Sequence, residues 1–362
     1  MKSISVALAT YNGEVFIQQQ LESIASQSHL PAELVVTDDD STDGTIGCLE
    51  QFAKTVPFPV YIHRNTTRLG YRANFIRALS LCQSELVALC DQDDVWDPSK
   101  LAVAVAAFDD PDTLLFFHNA WLIEHTGARI GPADIYGLPA YNAPLSAHSL
   151  FSPYGFSMVC HRTLLIFSDL WARSIDSNEP QHPMGHDQWL FFLASVFGAI
   201  AYSDLRLTDY RQHTNNTFGS PDKTLSAKLE YYMRWRVNNG LRYAQLAHMA
   251  GARADLLAES QARLSGVWLD RAIAGERACR RLSDRLRLRA RLYGKLSMWD
   301  RARMVAQLYR EGAYTSDGGF GLRQEVLVKD VAFGILLQRF LVPGKIRMVG
   351  DKTTGSGIGS PF

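Results

Sequence analysis

The sequence predicts an α/β protein: a mostly parallel, doubly wound sheet with helices on both faces, followed by a C-terminal helical region. Three observations predict it. Apolar runs of strand length alternate with segments of helical periodicity over the first 120 residues. Two of these strands end in clustered carboxylates, at the sheet edge where open α/β sheets bind ligands. Beyond Pro221 strand signals nearly vanish and long helical patterns take over.

The elements follow in order. Ile4 to Ala9 is a buried strand, and Gly13 to Ser26 has helical spacing through Phe16, Leu21 and Ile24. Pro31 opens a loop into the strand Glu33 to Thr37; Ser41-Thr42-Asp43-Gly44 is turn chemistry before a helix from Thr45 to Val56. Val60 to Arg64 is a third strand, Tyr71 to Cys82 a helix and Glu85 to Cys90 a fourth strand. Lys100 to Phe108 is helical and Leu114 to Asn119 extended. From Thr126 to Pro153 the pattern dissolves into Gly, Pro, Asn and Ala, a loop length that is usually functional or mobile. A strand from Phe156 to His161, helices over Arg162 to Ser174 and Asp187 to Phe197, and a short strand from Ala199 to Asp204 complete this half. Helices are expected from Leu225 to Ala250, Ala252 to Leu292 and Met298 to Glu311, and a flexible Gly/Ser/Thr-rich tail closes the chain. The implied domains are 1–221, 222–345 and a tail at 346–362.

Apolar content of 47% supports a sizeable core. Five scattered cysteines with no C-x-x-C pair indicate neither a disulfide framework nor a zinc site, so a cytoplasmic location is expected. Met1-Lys2-Ser3 runs straight into a strand, unlike a signal peptide, and no apolar run reaches membrane-spanning length. Charge is split: residues 1–221 hold 12 Lys+Arg against 24 Asp+Glu, and residues 222–362 hold 25 against 13. The acidic half suits a cation. The basic half suits an anionic acceptor, an anionic membrane surface, the acidic half itself or a second copy of the chain, and an interfacial face is expected around Arg280, Arg281, Arg285 and Arg289. Nucleic acid is not an expected partner.

The most informative segment is Leu86-Val87-Ala88-Leu89-Cys90-Asp91-Gln92-Asp93-Asp94-Val95-Trp96. A strand ends in three carboxylates within four residues. Such charges repel unless compensated, and a hard cation, Mg²⁺ or Mn²⁺, with oxygen ligands compensates them while leaving positions for phosphates. Asp91-x-Asp93 therefore reads as a metal clamp for a diphosphate; the bland alternative is a solvated acidic turn.

Four other segments fit this reading. Thr10-Tyr11-Asn12-Gly13-Glu14 lies where the first strand meets its helix, and Asp38-Asp39-Asp40-Ser41 ends the second strand, where a carboxylate can accept from the ring N–H of uracil or thymine. Helix capping competes at both places. Asn65 to Phe75 offers Arg68 or Arg72 to phosphate. His186-Asp187-Gln188-Trp189 begins a helix, where Asp187 is either a cap or a general base beside an aromatic that could stack on a sugar. Arg211-Gln212-His213 follows a strand, with Arg211 placed to pair with a diphosphate and His213 to complete the metal shell.

The segments ATYNGE, VVTDDDSTDGT, NTTRLGYRANF, LCDQDDVW, GFSMVCHRTLL, GHDQWL and YRQHTNN, in this order over residues 1–220, resemble family-2 glycosyltransferases, most closely the bacterial rhamnosyltransferase-like branch that builds surface polysaccharides. The resemblance implies a GT-A fold, a nucleotide-sugar donor with a divalent metal, and inversion at the anomeric carbon. By position it implies Asp187 as catalytic base. It places Thr10, Tyr11, Asn12, Glu14, Asp38, Asp39, Arg72, Asp91 and Gln92 at the nucleotide, Arg211 at the diphosphate, and Asp91, Asp93 and His213 at the metal. Trp96, His186 and Trp189 are expected at the sugar or acceptor. The donor is then a dTDP- or UDP-sugar and the acceptor a saccharide or lipid-linked saccharide. Asp40 departs from the family, which commonly has Gly there, so the loop is expected to take positive φ less readily. Competing readings are a nucleotidyltransferase, disfavoured because no basic phosphate loop opens the chain, and a non-catalytic nucleotide-sugar scaffold.

Overall fold

The computed structural model describes residues 2–133, 139–147, 152–213, 239–294, 296–314, 322 and 324–336. The chain forms two compact units, one of Met1–Pro144, Phe151–Arg173 and Pro183–Thr214, the other of Leu145–Leu150, Ser174–His182 and Asn215–Phe362. The expected boundary at 221 and the tail from 346 lie outside the described residues.

The first unit is built on a ten-stranded sheet. Its early elements are β1 (Ile4–Thr10), α1 (Ile17–Ala25), β2 (Glu33–Asp38), α2 (Thr45–Ala53), β3 (Val60–Arg64), α3 (Tyr71–Leu81) and β4 (Leu86–Cys90). Then come β5 (Val95–Trp96), α4 (Lys100–Ala107), β6 (Thr113–Ile123), β7 (Arg129–Ala133), β8 (Tyr141–Asn142), β9 (Met158–His161), α5 (His186–Phe197) and β10 (Ala199–Arg211). The order is β3-β2-β1-β4-β9-β6-β10-β5, with β7 on β6 and β8 on β10. Strands β3, β2, β1 and β4 are parallel, β9 runs antiparallel between β4 and β6, and β10 is parallel to β6.

Alternation in β1 explains the layering. Ile4, Val6 and Leu8 join one buried cluster with Ile17, Leu21 and Ile24 of α1, Leu49 and Phe52 of α2, and Leu101 and Ala104 of α4. Helix α3 packs on β1 and β2 outside that cluster and against α5, so it covers the opposite face. Helices thus lie on both faces, as the period-2 apolar runs require. The chain leaves β1 toward β2 on one side and returns to β4 on the other, so the carboxyl ends of β1, β2 and β4 flank a topological switch point.

Some expectations are corrected here. The segment Arg162–Arg173 is a run of 3₁₀ turns rather than an α-helix. The short strand from Ala199 extends to Arg211, because it lies beside β6 through Ile123. The long loop after Thr126 contains β7 and β8. Asp40 does take positive φ, 66°, and its carboxylate pairs with Arg64 at 3.0 Å; aspartate tolerates this backbone region because its short side chain bonds locally.

In the second unit α6 (Asn239–Ser260) packs along α7 (Gly266–Leu292), and α8 (Met298–Arg310) and α9 (Gln324–Lys329) follow. The helix expected unbroken from Ala252 to Leu292 is interrupted, with Leu264 and Ser265 extended. The expected interfacial arginine face is also corrected. Arg285 and Arg289 are buried, and Arg289 donates to both carboxylate oxygens of buried Asp330 at 2.9 Å and to the Tyr243 hydroxyl. Tyr293 and Tyr314 donate their hydroxyls to the same carboxylate. Arg280 pairs with Asp255 at 2.9 Å. The core thus absorbs two of the four arginines, since a guanidinium whose donors find buried acceptors need not face water. Among the described residues no helix is long and apolar enough to cross a membrane.

Candidate active site

The ends of β1 and β2 are fastened by carboxylates. Buried Asp38 accepts from the Thr10 hydroxyl at 2.7 Å and from the Ser41 backbone N–H and hydroxyl at 2.8 and 2.5 Å. Asp39 Oδ1 accepts from Asn65 Nδ2 and the Leu69 N–H, and Oδ2 from the Gly70 N–H at 2.8 Å. Gly70 turns the chain into α3 at φ 82°, which only glycine adopts without strain. Asn74 Nδ2 donates to the Thr37 carbonyl and Asn65 Nδ2 to Asn74 Oδ1, both at 2.9 Å. Asn65 and Asn74 thus fasten this corner as well, which the sequence does not announce. Their signal was weak, two asparagines nine residues apart among flashier arginines.

The loop after β1 is stitched to the loop after β2. Asn12, at φ 47°, accepts from the Thr42 N–H on its side-chain oxygen at 2.9 Å, and Glu14 accepts from the Gly44 N–H at 2.9 Å. Gln92 brackets the Tyr11 backbone, accepting from its N–H at 2.9 Å and donating to its carbonyl at 3.0 Å. The Tyr11 ring lies under Arg68 at 3.9 Å. Asn12, Glu14 and Gln92 therefore shape the loop, while Tyr11 and Arg68 form a cation–π pair beside it.

The carboxylate turn follows β4. Loss of solvent around Asp91, then repulsion from Asp93 and Asp187, pushes its carboxyl up to about 7. Burial raises Asp94 well above the ordinary range; its Oδ1 accepts from the Arg211 N–H at 3.0 Å, and its Oδ2 is buried without a hydrogen-bond partner. Asp93 Oδ2 lies 2.7 Å from His213 Nε2, and the His213 ring stacks on Phe16. Two carboxylates and an imidazole suit a hard divalent cation, and the turn is short of positive charge. Among the described residues no group of three or more His, Cys, Asp and Glu is already arranged as a metal site.

Arg211 does not face the place of a diphosphate. It is fully buried, and its guanidinium donates to the Asp93 carbonyl (2.8 Å), the Glu124 and His125 carbonyls (3.2 and 2.8 Å) and Gln19 Oε1 (2.5 Å). These donors are spent inward, so Arg211 braces the carboxylate turn from behind.

Helix α5 brings Asp187 to the same edge. Asp187 lies in its first turn, accepts from the Gln188 N–H at 2.7 Å, and is near enough to raise both Asp91 and the half-buried Tyr154 electrostatically. The preceding His186 is buried, stacked on Phe75 with centroids 3.8 Å apart, and held down to about 3 by burial and by Arg72. Its ring sits where a Cβ on Gly155 would have to be, so glycine there permits the close approach. The tryptophans expected to flank the sugar are core residues: Trp96 is 2% and Trp189 1% exposed. Trp96 carries the Lys100 ammonium on its ring at 3.7 Å, and Trp189 packs on Phe192. The aromatic that does lie near Asp187 is Tyr154, stacked on Phe156.

Residues 5–169 match the sequence model of Glycosyl transferase family 2. An uncharacterized protein of Mycobacterium tuberculosis is 29% identical over 222 residues, covering 60% of this chain and 61% of that protein, so the match spans less than two thirds of the relative. The dTDP-rhamnosyl transferase RfbG of Shigella flexneri is 27% identical over 257 residues, 68% of this chain and 85% of RfbG. The crystal structure of S. aureus TarS 1–349 aligns over 86% of this chain and 93% of that one at 19% identity and a TM-score of 0.48. The match to glycosyl transferase family 2 takes in residues 5–169, under half of the chain, and with them most strands of the open, mostly parallel sheet.

Proposed function

We propose that the protein is an inverting glycosyltransferase that moves a sugar from a dTDP- or UDP-sugar to a hydroxyl of a saccharide or lipid-linked saccharide in polysaccharide synthesis. The observation that carries this reading is the meeting of Asp187, from α5, with the Asp91–Asp94 turn, from the end of β4. A lone acidic turn is common. A second carboxylate brought to it from a helix more than 90 residues later supports the reading of a base beside a diphosphate site. The name of RfbG supports a thymidine donor and rhamnose as its sugar.

In this reading Asp38 and Asp39, with Thr10, Tyr11 and Arg72, form the nucleotide end of the site. Asp91, Asp93 and His213 would hold a divalent cation, which would supply positive charge to the diphosphate. Asp187 accepts the proton of the acceptor hydroxyl as that oxygen attacks the anomeric carbon. The bond to the diphosphate oxygen breaks on the opposite side and the diphosphate carries away the electron pair, so configuration inverts. Residues 222–345 act as a separate helical module, whose exposed Arg277, Arg281 and Arg291 suit an anionic acceptor or lipid headgroup.

Asp187→Asn tests the assignment. The amide keeps the shape and the bond from Gln188 but takes no proton, so transfer should fall ~10²–10⁴-fold with donor affinity unchanged. Transfer within threefold of wild type refutes Asp187 as the base. No release of nucleoside diphosphate from any pyrimidine-nucleotide sugar with any saccharide acceptor would favour a binding scaffold instead.

A further inference from the structure

Helix α8 of the second unit turns an apolar strip to solvent. Ser297 caps the helix, accepting from the Asp300 N–H at 3.1 Å, and Met304, Val305 and Leu308 form its buried side, with Met304 and Val305 in one cluster with Leu292. The outer side is unlike an ordinary solvated face. Among the described tryptophans only Trp299 is exposed, at 73%, and Met298 and Tyr309 of the same helix are 43% and 65% exposed. Single apolar residues scattered over a surface need no explanation, but a grouped set that includes a tryptophan does. At about 100° per residue, Met298, Tyr309, the half-buried Ala302, Ala306 and Trp299 succeed one another across one sector of α8. Arg310 and Arg303, both exposed, run along the border of that sector beside Trp299. The exposed acids, Asp300 and the C-capping Glu311, fall beyond the arginines, away from the apolar strip. Asp300 lies 3.7 Å from Arg303, and a pair this long between exposed side chains leaves the arginine's charge available.

An apolar strip carrying Trp and Tyr, edged by arginines, matches the boundary of a lipid bilayer. Apolar bodies enter the acyl region, the indole N–H and phenol stay among the headgroups, and guanidinium groups meet lipid phosphates. We propose that α8 is a membrane-surface helix, which lays the strip from Met298 to Tyr309 on a bilayer rich in anionic lipid. Charge complementarity selects this occupant. Residues 222–362 hold 25 Lys+Arg against 13 Asp+Glu, so this part of the chain is drawn to an anionic surface. A second copy meeting the face about a twofold axis would instead set Arg303 and Arg310 against their own counterparts. The stretch of α7 that looks interfacial in sequence does not serve, because Leu282, Leu286, Arg285 and Arg289 are all buried. Helix α8 has the opposite arrangement, with its aromatic residues and its arginines outside together.

The test is co-sedimentation of the full chain with vesicles of phosphatidylcholine, alone or mixed with phosphatidylglycerol, at low and high salt. Wild type should bind the mixed vesicles at low salt, bind phosphatidylcholine alone at least tenfold more weakly, and be released by high salt. Trp299→Ser with Tyr309→Ser should weaken binding about tenfold. Arg303→Gln with Arg310→Gln should weaken it about tenfold or more and flatten its salt dependence. All four side chains are exposed, so Tm should stay within about 2 °C of wild type in both variants. Phosphatidylcholine brominated along its acyl chains, mixed with phosphatidylglycerol, should quench tryptophan fluorescence in wild type and much less in Trp299→Phe. Equal quenching in those two proteins, or binding unaltered by both pairs of substitutions, overturns the assignment to α8. A wild type that does not prefer the anionic vesicles overturns the membrane role altogether. A wild type that ignores vesicles but is a dimer by light scattering, and becomes a monomer with Trp299→Ser and Tyr309→Ser, gives the face to a second copy instead. No readout involves sugar transfer, so the outcome is independent of the proposed reaction.

Discussion

Arg211→Lys separates the two roles this residue can have. If Arg211 met the diphosphate, lysine would keep the charge and lose some donor affinity with little effect on folding. The structure instead sends its guanidinium to four internal oxygens: the Asp93, Glu124 and His125 carbonyls and Gln19 Oε1. An ammonium presents three donors from one point and cannot span carbonyls on different segments, so two of these acceptors lose their partner. Each buried acceptor left unsatisfied costs ~1–3 kcal/mol, which gives about 3 kcal/mol in all. For a unit of this size that lowers Tm by roughly 6–12 °C. The assay is calorimetric or urea unfolding of both proteins, with UDP or dTDP titrated in EDTA alongside. The expected result is a lower Tm with the nucleotide affinity of the folded protein unchanged. A Tm within about 2 °C of wild type, combined with a tenfold loss of diphosphate affinity, would refute the bracing role.

Three other outcomes follow from the same geometry. On the proposed metal reading, Asp93→Ala removes a cation ligand together with the partner of His213, so Mn²⁺ should no longer strengthen UDP or dTDP binding in calorimetry; a wild type with equal affinity in EDTA and Mn²⁺ contradicts the clamp. His186 is held near 3 against an ordinary 6.5, so the unfolded chain binds its proton first as pH falls; the stability is intact above 6.5 and declines toward 3, by about 2 kcal/mol at pH 5. His186→Gln should lose that much less than wild type between pH 7 and pH 5 in urea unfolding, and equal losses in the two proteins would discount the effect. Arg289→Met leaves the Asp330 carboxylate buried without its cation and should cost ~3–5 kcal/mol, whereas exposed Arg281→Gln should change stability by less than about 0.5 kcal/mol. Equal, small effects would return Arg289 to the surface.

The order of strands and helices was legible because one-sided burial imposes a period. Ile4, Val6 and Leu8 alternate since only one face of β1 meets α1 and α2, and that constraint is written into the sequence directly. Strand partners less tied to apolar runs were not legible. Val95–Trp96 is too short to show a period, and β10 runs on past Asp204 through a polar stretch because β6 is there to pair with it, with bulges in the register. The 3₁₀ run Arg162–Arg173 keeps helical apolar spacing through Leu164, Phe167 and Leu170, which does not distinguish the two helix types.

Within the site, legibility divides by chemistry. The position of the carboxylates was legible because a short acid has little reach: Asp38, Asp39 and Asp91 all sit at the carboxyl edge of β2 or β4. Long amphipathic side chains carry no such address. Arg211 turns inward because Asp93, the Glu124–His125 pair and Gln19, remote from one another in sequence, converge there. Trp96 and Trp189 are buried for the same kind of reason: Lys100 and Phe192 occupy their faces. Sequence reading favours the charged and aromatic residues nearest a motif as ligand contacts, yet here those residues are the support beneath it. The consequence is a division of labour. The acids of the turn stand at the end of β4, while the buried Arg211, Trp96 and Trp189 brace the elements around them.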